Sequence, residues 1–149
     1  LSALYNGRAQ ANKQTTMSEP EQSSPPPTPY QRLGGEAALR RLVARFYEIM
    51  NAQPKARGIR KMHAADLSGA EAKLFKFLSG WLGGPDLFVE EYGHPRLRAR
   101  HFPFPIGVSE RDQWMLCMDQ ALDEEVADED LREKMRLALA HTATHMINQ

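Results

Sequence analysis

From Gly35 onward, apolar residues recur at intervals of three and four: Leu39, Leu42, Val43, Phe46, Tyr47 and Met50 form one continuous stripe. Such a stripe is the face of a helix that needs a partner to bury it. The pattern returns in Ala70, Leu74, Phe77, Leu78 and Trp81, in Trp114, Cys117, Met118, Ala121 and Leu122, and in Leu131, Met135, Ala138, Leu139, Thr142 and Met146. Four amphipathic helices then share one core. The chain has 16 Leu against four Val and four Ile, which favours helix over strand, so the expected class is all-α.

Local signals place the helix ends. Gly34-Gly35 permits a sharp turn between a short helical turn at Tyr30-Gln31-Arg32-Leu33 and the first long helix. Ser68 with Glu71, and Ser109 with Asp112, have the spacing of capping boxes and predict the starts of the second and third long helices. Gly83-Gly84-Pro85 stops the second, and the fourth begins near Asp128. Between the second and third lies a segment with three prolines and two histidines. Its helical piece is expected from Pro95 to about Phe102, opened by one proline and closed by Pro103 and Pro105.

Residues 1–29 are rich in Gln, Ser, Thr and Pro and lack periodic apolar residues, which predicts a disordered tail ahead of a domain spanning 30–149. The first methionine is Met17, so translation from Met17 would make the first 16 residues upstream sequence. Cys117 has no cysteine partner, and no apolar run reaches membrane-spanning length, which makes the cytoplasm the expected location. Lys plus Arg and Asp plus Glu balance at 19 each, so no global field attracts nucleic acid. A small-molecule or cofactor role is favoured by elimination.

His101 ends the short proline-bracketed helix, with Leu97 one turn back on the same face, a placement that points its ring inward. A lone histidine beside apolar residues is more often a core or surface residue than a ligand. Arg96, Arg98 and Arg100 crowd just before it and could meet anionic groups, or form a solvated face. His141 and His145 stand one helical turn apart, a metal-compatible spacing with no third ligand or intervening glutamate in a zincin pattern, and read as exposed residues.

The string Gly93-His94-Pro95-Arg96-Leu97-Arg98-Ala99-Arg100-His101-Phe102-Pro103-Phe104 resembles the proximal region of the group II truncated haemoglobins. The resemblance runs from Tyr30 to Gln149 and includes Gly34-Gly35, Phe46-Tyr47, Gly83-Gly84-Pro85 and Glu110-Arg111-Asp112-Gln113-Trp114. It implies a shortened globin fold, two helices over two, enclosing haem b (iron protoporphyrin IX). His101 matches the iron ligand, whose other ring nitrogen should donate to a backbone carbonyl. Tyr47 and Trp114 match the distal hydrogen-bond donors to oxygen or another diatomic gas. Without the resemblance, both would read as core aromatics.

Ala70 and Leu74 match the distal-helix positions nearest the iron and supply no distal histidine. Phe77, Leu78, Phe88, Phe104, Met118 and Leu122 are candidates for apolar contact with the macrocycle, and Lys73, Trp81, His94 and Arg100 match positions near the propionates. The loop from Asn51 to Asp66 carries about three extra residues, so the loop position facing the haem falls on His63, or on Met62 if the gap is placed differently. His63 could donate to the ligand or to Tyr47, bind iron, or stay exposed. Two donors of about 1.5–3 kcal/mol each would retain oxygen too tightly for simple delivery, so peroxide turnover or nitric oxide dioxygenation is the expected redox chemistry. That chemistry needs an unidentified reductase in a monomer or homodimer. The reading from a different class is a cofactor-free helical interaction module.

Overall fold

The computed structural model describes residues 24–149, and its regular structure there is helical throughout. The expected disordered tail therefore lies largely outside the described residues. Helix α1 (Pro29–Leu33) opens with a full capping box: Thr28 Oγ1 accepts from the Gln31 N–H at 3.1 Å, and Gln31 Oε1 accepts from the Thr28 N–H at 3.0 Å. Thr28 and Pro29 thus belong to the cap and first turn of α1, two residues ahead of the boundary that composition suggests. Gly34 follows at φ 118°, a conformation that favours glycine, and reverses the chain into α2 (Gly35–Ala52).

The predicted stripe of α2 is buried along its whole length, with Leu39, Leu42 and Phe46 at 0% exposure. A 3-10 turn (Pro54–Ala56) and a short α3 (Arg57–Lys61) lead to α4 (Ser68–Trp81), then α5 (Leu87–Tyr92) and α6 (Leu97–His101). Two long helices, α7 (Val108–Glu125) and α8 (Glu129–His145), complete the order. α2 packs on α7 and on α4, while α8 packs on α7, so α2 and α4 form one layer and α7 and α8 the other. Cys117, Met118, Ala121 and Leu122 meet the α2 face in the central core, together with Leu131 and Met135 from α8.

Gly83-Gly84-Pro85 does more than stop α4. The Tyr30 N–H donates to Leu82 O at 2.9 Å, and a Cβ at Gly84 would stand 2.5 Å from the Tyr30 ring. The glycine lets α1 seal the end of α4.

Three predicted starts shift. Ser68 does not cap α4: Leu67 holds the cap position in a helical conformation, and Asp66 Oδ1 accepts the Ser68 N–H at 2.9 Å instead. Ser109 lies inside α7, whose extended cap residue is Gly107, with the Glu110 carboxylate accepting from the Gly107 N–H at 3.3 Å. Pro95 does not open α6, because Arg96 intervenes at φ 44°, ψ 52°. Left-handed backbone at a non-glycine residue costs of order 1–3 kcal/mol and must be held by its surroundings. Here Arg100 Nε donates to Pro95 O at 2.6 Å, and the Arg96 N–H donates to His94 Nδ1 at 3.2 Å.

Candidate haem cavity

A cavity of about 720 Å³ lies between α4 and α8, with α2 and α7 as its floor and α6 closing one side. That volume falls in the range of small-molecule and cofactor sites. Ala70, Lys73, Leu74, Phe77 and Leu78 line it from α4, at positions that share one helical face. Phe88, Leu97, Arg100, His101 and Phe104 line it from the α5–α6 side, and Tyr47, His63, Met62 and Trp114 from the distal side. The sequence candidates therefore converge on one site.

Four do not line it. Met118 and Leu122 share the face of Trp114 but lie one and two turns further along α7, wholly buried in the central core. His94 is exposed, its Nδ1 occupied by the Arg96 N–H. Trp81 is 3% exposed, and its Nε1–H has no acceptor among the described residues. Its ring sits 6.5 Å from that of Phe77, which does line the cavity.

His101 Nδ1 stands 2.6 Å from Leu97 O, the carbonyl one turn back. A carbonyl only accepts, so Nδ1 carries a proton, and in the neutral ring Nε2 then keeps its lone pair. That tautomer is the one a metal ligand needs, and the bonded carbonyl fixes the ring's orientation. Around it, Arg98 Nη1 donates to His145 O at 2.7 Å, and Asn148 Nδ2 donates to Phe104 O at 2.8 Å and His101 O at 3.4 Å. The segment is thereby fastened to the C-terminus.

On the opposite side, Phe46 lies between the two polar aromatics, 4.9 Å from the Tyr47 ring and 5.0 Å from that of Trp114. Tyr47 Oη donates to Ala70 O over a long 3.4 Å. Burial, with a smaller contribution from the Glu71 charge, pushes the Tyr47 phenol above its ordinary range, so it remains a donor at neutral pH. His63 sits edge-on to Tyr47 at 5.9 Å, its Nδ1 2.8 Å from Ile59 O, again the carbonyl four residues back. Cys117 takes no part: burial pushes its thiol up to about 11.

Sequence reasoning missed part of the wall. Leu139, Thr142, Ala143 and Met146 form a stripe along α8 that faces the cavity, and Ile59, Ile106 and Arg111 also line it. The spacing of the α8 stripe was visible in the sequence, but not which side of the helix would meet α4. Lys73, Arg100 and Arg111 supply cationic groups at the lining.

These features fit haem. The cavity has a mostly apolar wall, a histidine in the metal-ligand tautomer and cations for the carboxylates, and the Trp81 indole N–H lies without a protein acceptor behind Phe77 of that wall. The family model for bacterial-like globins matches residues 28–148. The group 2 truncated haemoglobin YjbI of Bacillus subtilis is 41% identical over 121 residues, which is 81% of this chain and 89% of that protein. Two solved structures agree. The group II 2-on-2 haemoglobin of Agrobacterium tumefaciens superposes with a TM-score of 0.83 at 49% identity, covering 85% of this chain and 98% of that one. The cold-adapted truncated haemoglobin of Pseudoalteromonas haloplanktis TAC125 gives 0.81 at 50% identity, covering 83% and 99%.

The chain belongs to the bacterial-like globins and, within them, to the group II truncated haemoglobins. As a globin it uses haem to bind diatomic ligands such as oxygen.

Proposed function

We propose that this globin holds haem b through His101 Nε2 and retains oxygen tightly by hydrogen bonds from Tyr47 and Trp114. The observation that carries the reading is the 2.6 Å contact of His101 Nδ1 with Leu97 O, which leaves Nε2 as the free nitrogen of a ring lining the cavity. Bound haem supplies an iron that takes up a diatomic gas and passes it electron density.

Everything else falls to the chain's own groups. Phe77, Leu78, Phe88 and Phe104 cover the macrocycle and keep water away, while Lys73 and Arg100 hold its carboxylates. The small Ala70 leaves space over the distal side. Tyr47 can turn its hydroxyl from the long bond to Ala70 O towards a polar ligand, and Trp114 brings an indole N–H from the other layer. Hydrogen bonds to a charged acceptor contribute about 1.5–3 kcal/mol each. Two of them slow release by orders of magnitude, which suits redox turnover of nitric oxide or peroxide better than oxygen delivery.

Electrons for that turnover come from a separate reductase. The buried, unpaired Cys117 accords with a reducing cytoplasm. The purified protein, supplied with haem, should show an intense Soret band that shifts on adding carbon monoxide. A protein that stays colourless would instead be a cofactor-free helical interaction module.

A further inference from the structure

The last turns of α8 carry two imidazoles that this haem chemistry does not use. His141 and His145 are both exposed, their ring centroids lie 4.5 Å apart with planes at 77°, and their Nε2 atoms are 3.1 Å apart. We infer that the pair is a surface clamp for a divalent transition-metal ion of the copper(II) or nickel(II) class, bound through both Nε2 atoms with water in the remaining positions.

The separation admits one shared ion. At a metal–nitrogen length of about 2.0–2.1 Å, nitrogens at this separation subtend roughly 95–102° at one ion, and among divalent ions an open imidazole pair binds copper(II) and nickel(II) strongly. No group of three or more His, Cys, Asp and Glu exists among the described residues to complete an all-protein cage. The described residues therefore offer no closed zinc site, and the pair stands as an open two-imidazole site.

Without metal, one ring donates its N–H to the other. For metal binding both rings must carry their proton on Nδ1, and exposed rings can do so because water accepts from Nδ1. The clamp also sits on a turn with a structural task. The His145 carbonyl accepts from Arg98, and Thr142, Ala143 and Met146 beside the pair line the cavity. An ion bridging positions four apart would hold this end of α8 closed and stabilise the folded chain by mass action.

The test is calorimetric titration of Ni2+ into the carbon-monoxide-saturated, haem-supplied protein, with thermal melts alongside. One saturable Ni2+ per chain is expected. H141A and H145A should each lower the affinity about tenfold or more, whereas E90A, which removes an exposed carboxylate elsewhere, should leave it unchanged. The melting midpoint should rise with Ni2+ in the parent but not in H141A or H145A, and Cu2+ should displace Ni2+ while Zn2+ does not displace Cu2+. Absence of saturable binding, or its survival in the double variant, would overturn the inference. It stands apart from the haem assignment, since neither histidine lines the cavity.

Discussion

His101 and His63 offer the same local geometry from opposite ends of one cavity. Each ring lines it, and each has Nδ1 close to the carbonyl four residues back, at 2.6 Å for His101 and 2.8 Å for His63. They differ in what holds the segment beneath. The His101 segment is fastened by Asn148 and Arg98 to the far end of the chain, whereas the His63 loop is held by Arg60, which donates to Ala64 O and Ala65 O at 2.9 Å and to Asn51 Oδ1 at 3.0 Å. Long-range ties fix a position in space. They bracket His101 on both sides, at Arg98 and at Phe104, whereas the His63 loop has one, the Ile59 N–H donating to Gln113 Oε1 at 3.0 Å ahead of the histidine, so the better-fixed imidazole is the one proposed as iron ligand.

The largest expected effect is a difference between two substitutions. His101→Ala should abolish stable haem retention, with partial recovery in added imidazole, whereas His63→Ala should keep haem at unchanged stoichiometry. Haem content after gel filtration checks both. Equal losses would mean that the two segments are equivalent after all.

Next come the distal donors. Tyr47→Phe and Trp114→Phe each remove one donor and keep most of the ring volume, so oxygen dissociation should accelerate about tenfold or more in at least one, as the loss of roughly 1.5–3 kcal/mol implies. Carbon monoxide release should change less, because that ligand is less polar. Both sit in one cluster through Phe46, so the double variant need not equal the product of the singles. Stopped-flow displacement measures all three.

A smaller effect should follow from the ties themselves. Asn148→Ala removes donors to Phe104 O and His101 O, and haem transfer to an acceptor protein should speed up severalfold, in line with about 1 kcal/mol for a hydrogen bond of this kind. Asn51→Ala, which loosens only the His63 loop, should leave haem transfer unchanged.

The same contrast explains what could be read from the chain. The α2 stripe and the buried face of α7 were legible because each needs only a repeat of three and four. Tyr47, Trp114, Ala70, Leu74 and His101 came with them through the family resemblance. The start of α6 was not legible, since the left-handed Arg96 depends on Arg100 reaching back to Pro95 O. Ser68 and Ser109 failed as caps because Leu67 and Gly107 hold the cap positions of the two helices. Arg111, Ile106 and the cavity side of α8 depend on how the two layers cross. No local spacing encodes that.

The central claim is that Nε2 of His101, with Nδ1 protonated and bonded to Leu97 O, is the atom that holds the haem. Nitrogen-15 NMR of the carbon-monoxide-saturated ferrous protein, labelled at histidine, tests it directly. The account predicts that His101 Nε2 is displaced by iron ligation while its Nδ1 retains a slowly exchanging proton, and that the resonances of His63 are free of iron ligation. Ligation at His101 Nδ1, or at either nitrogen of His63, would contradict it.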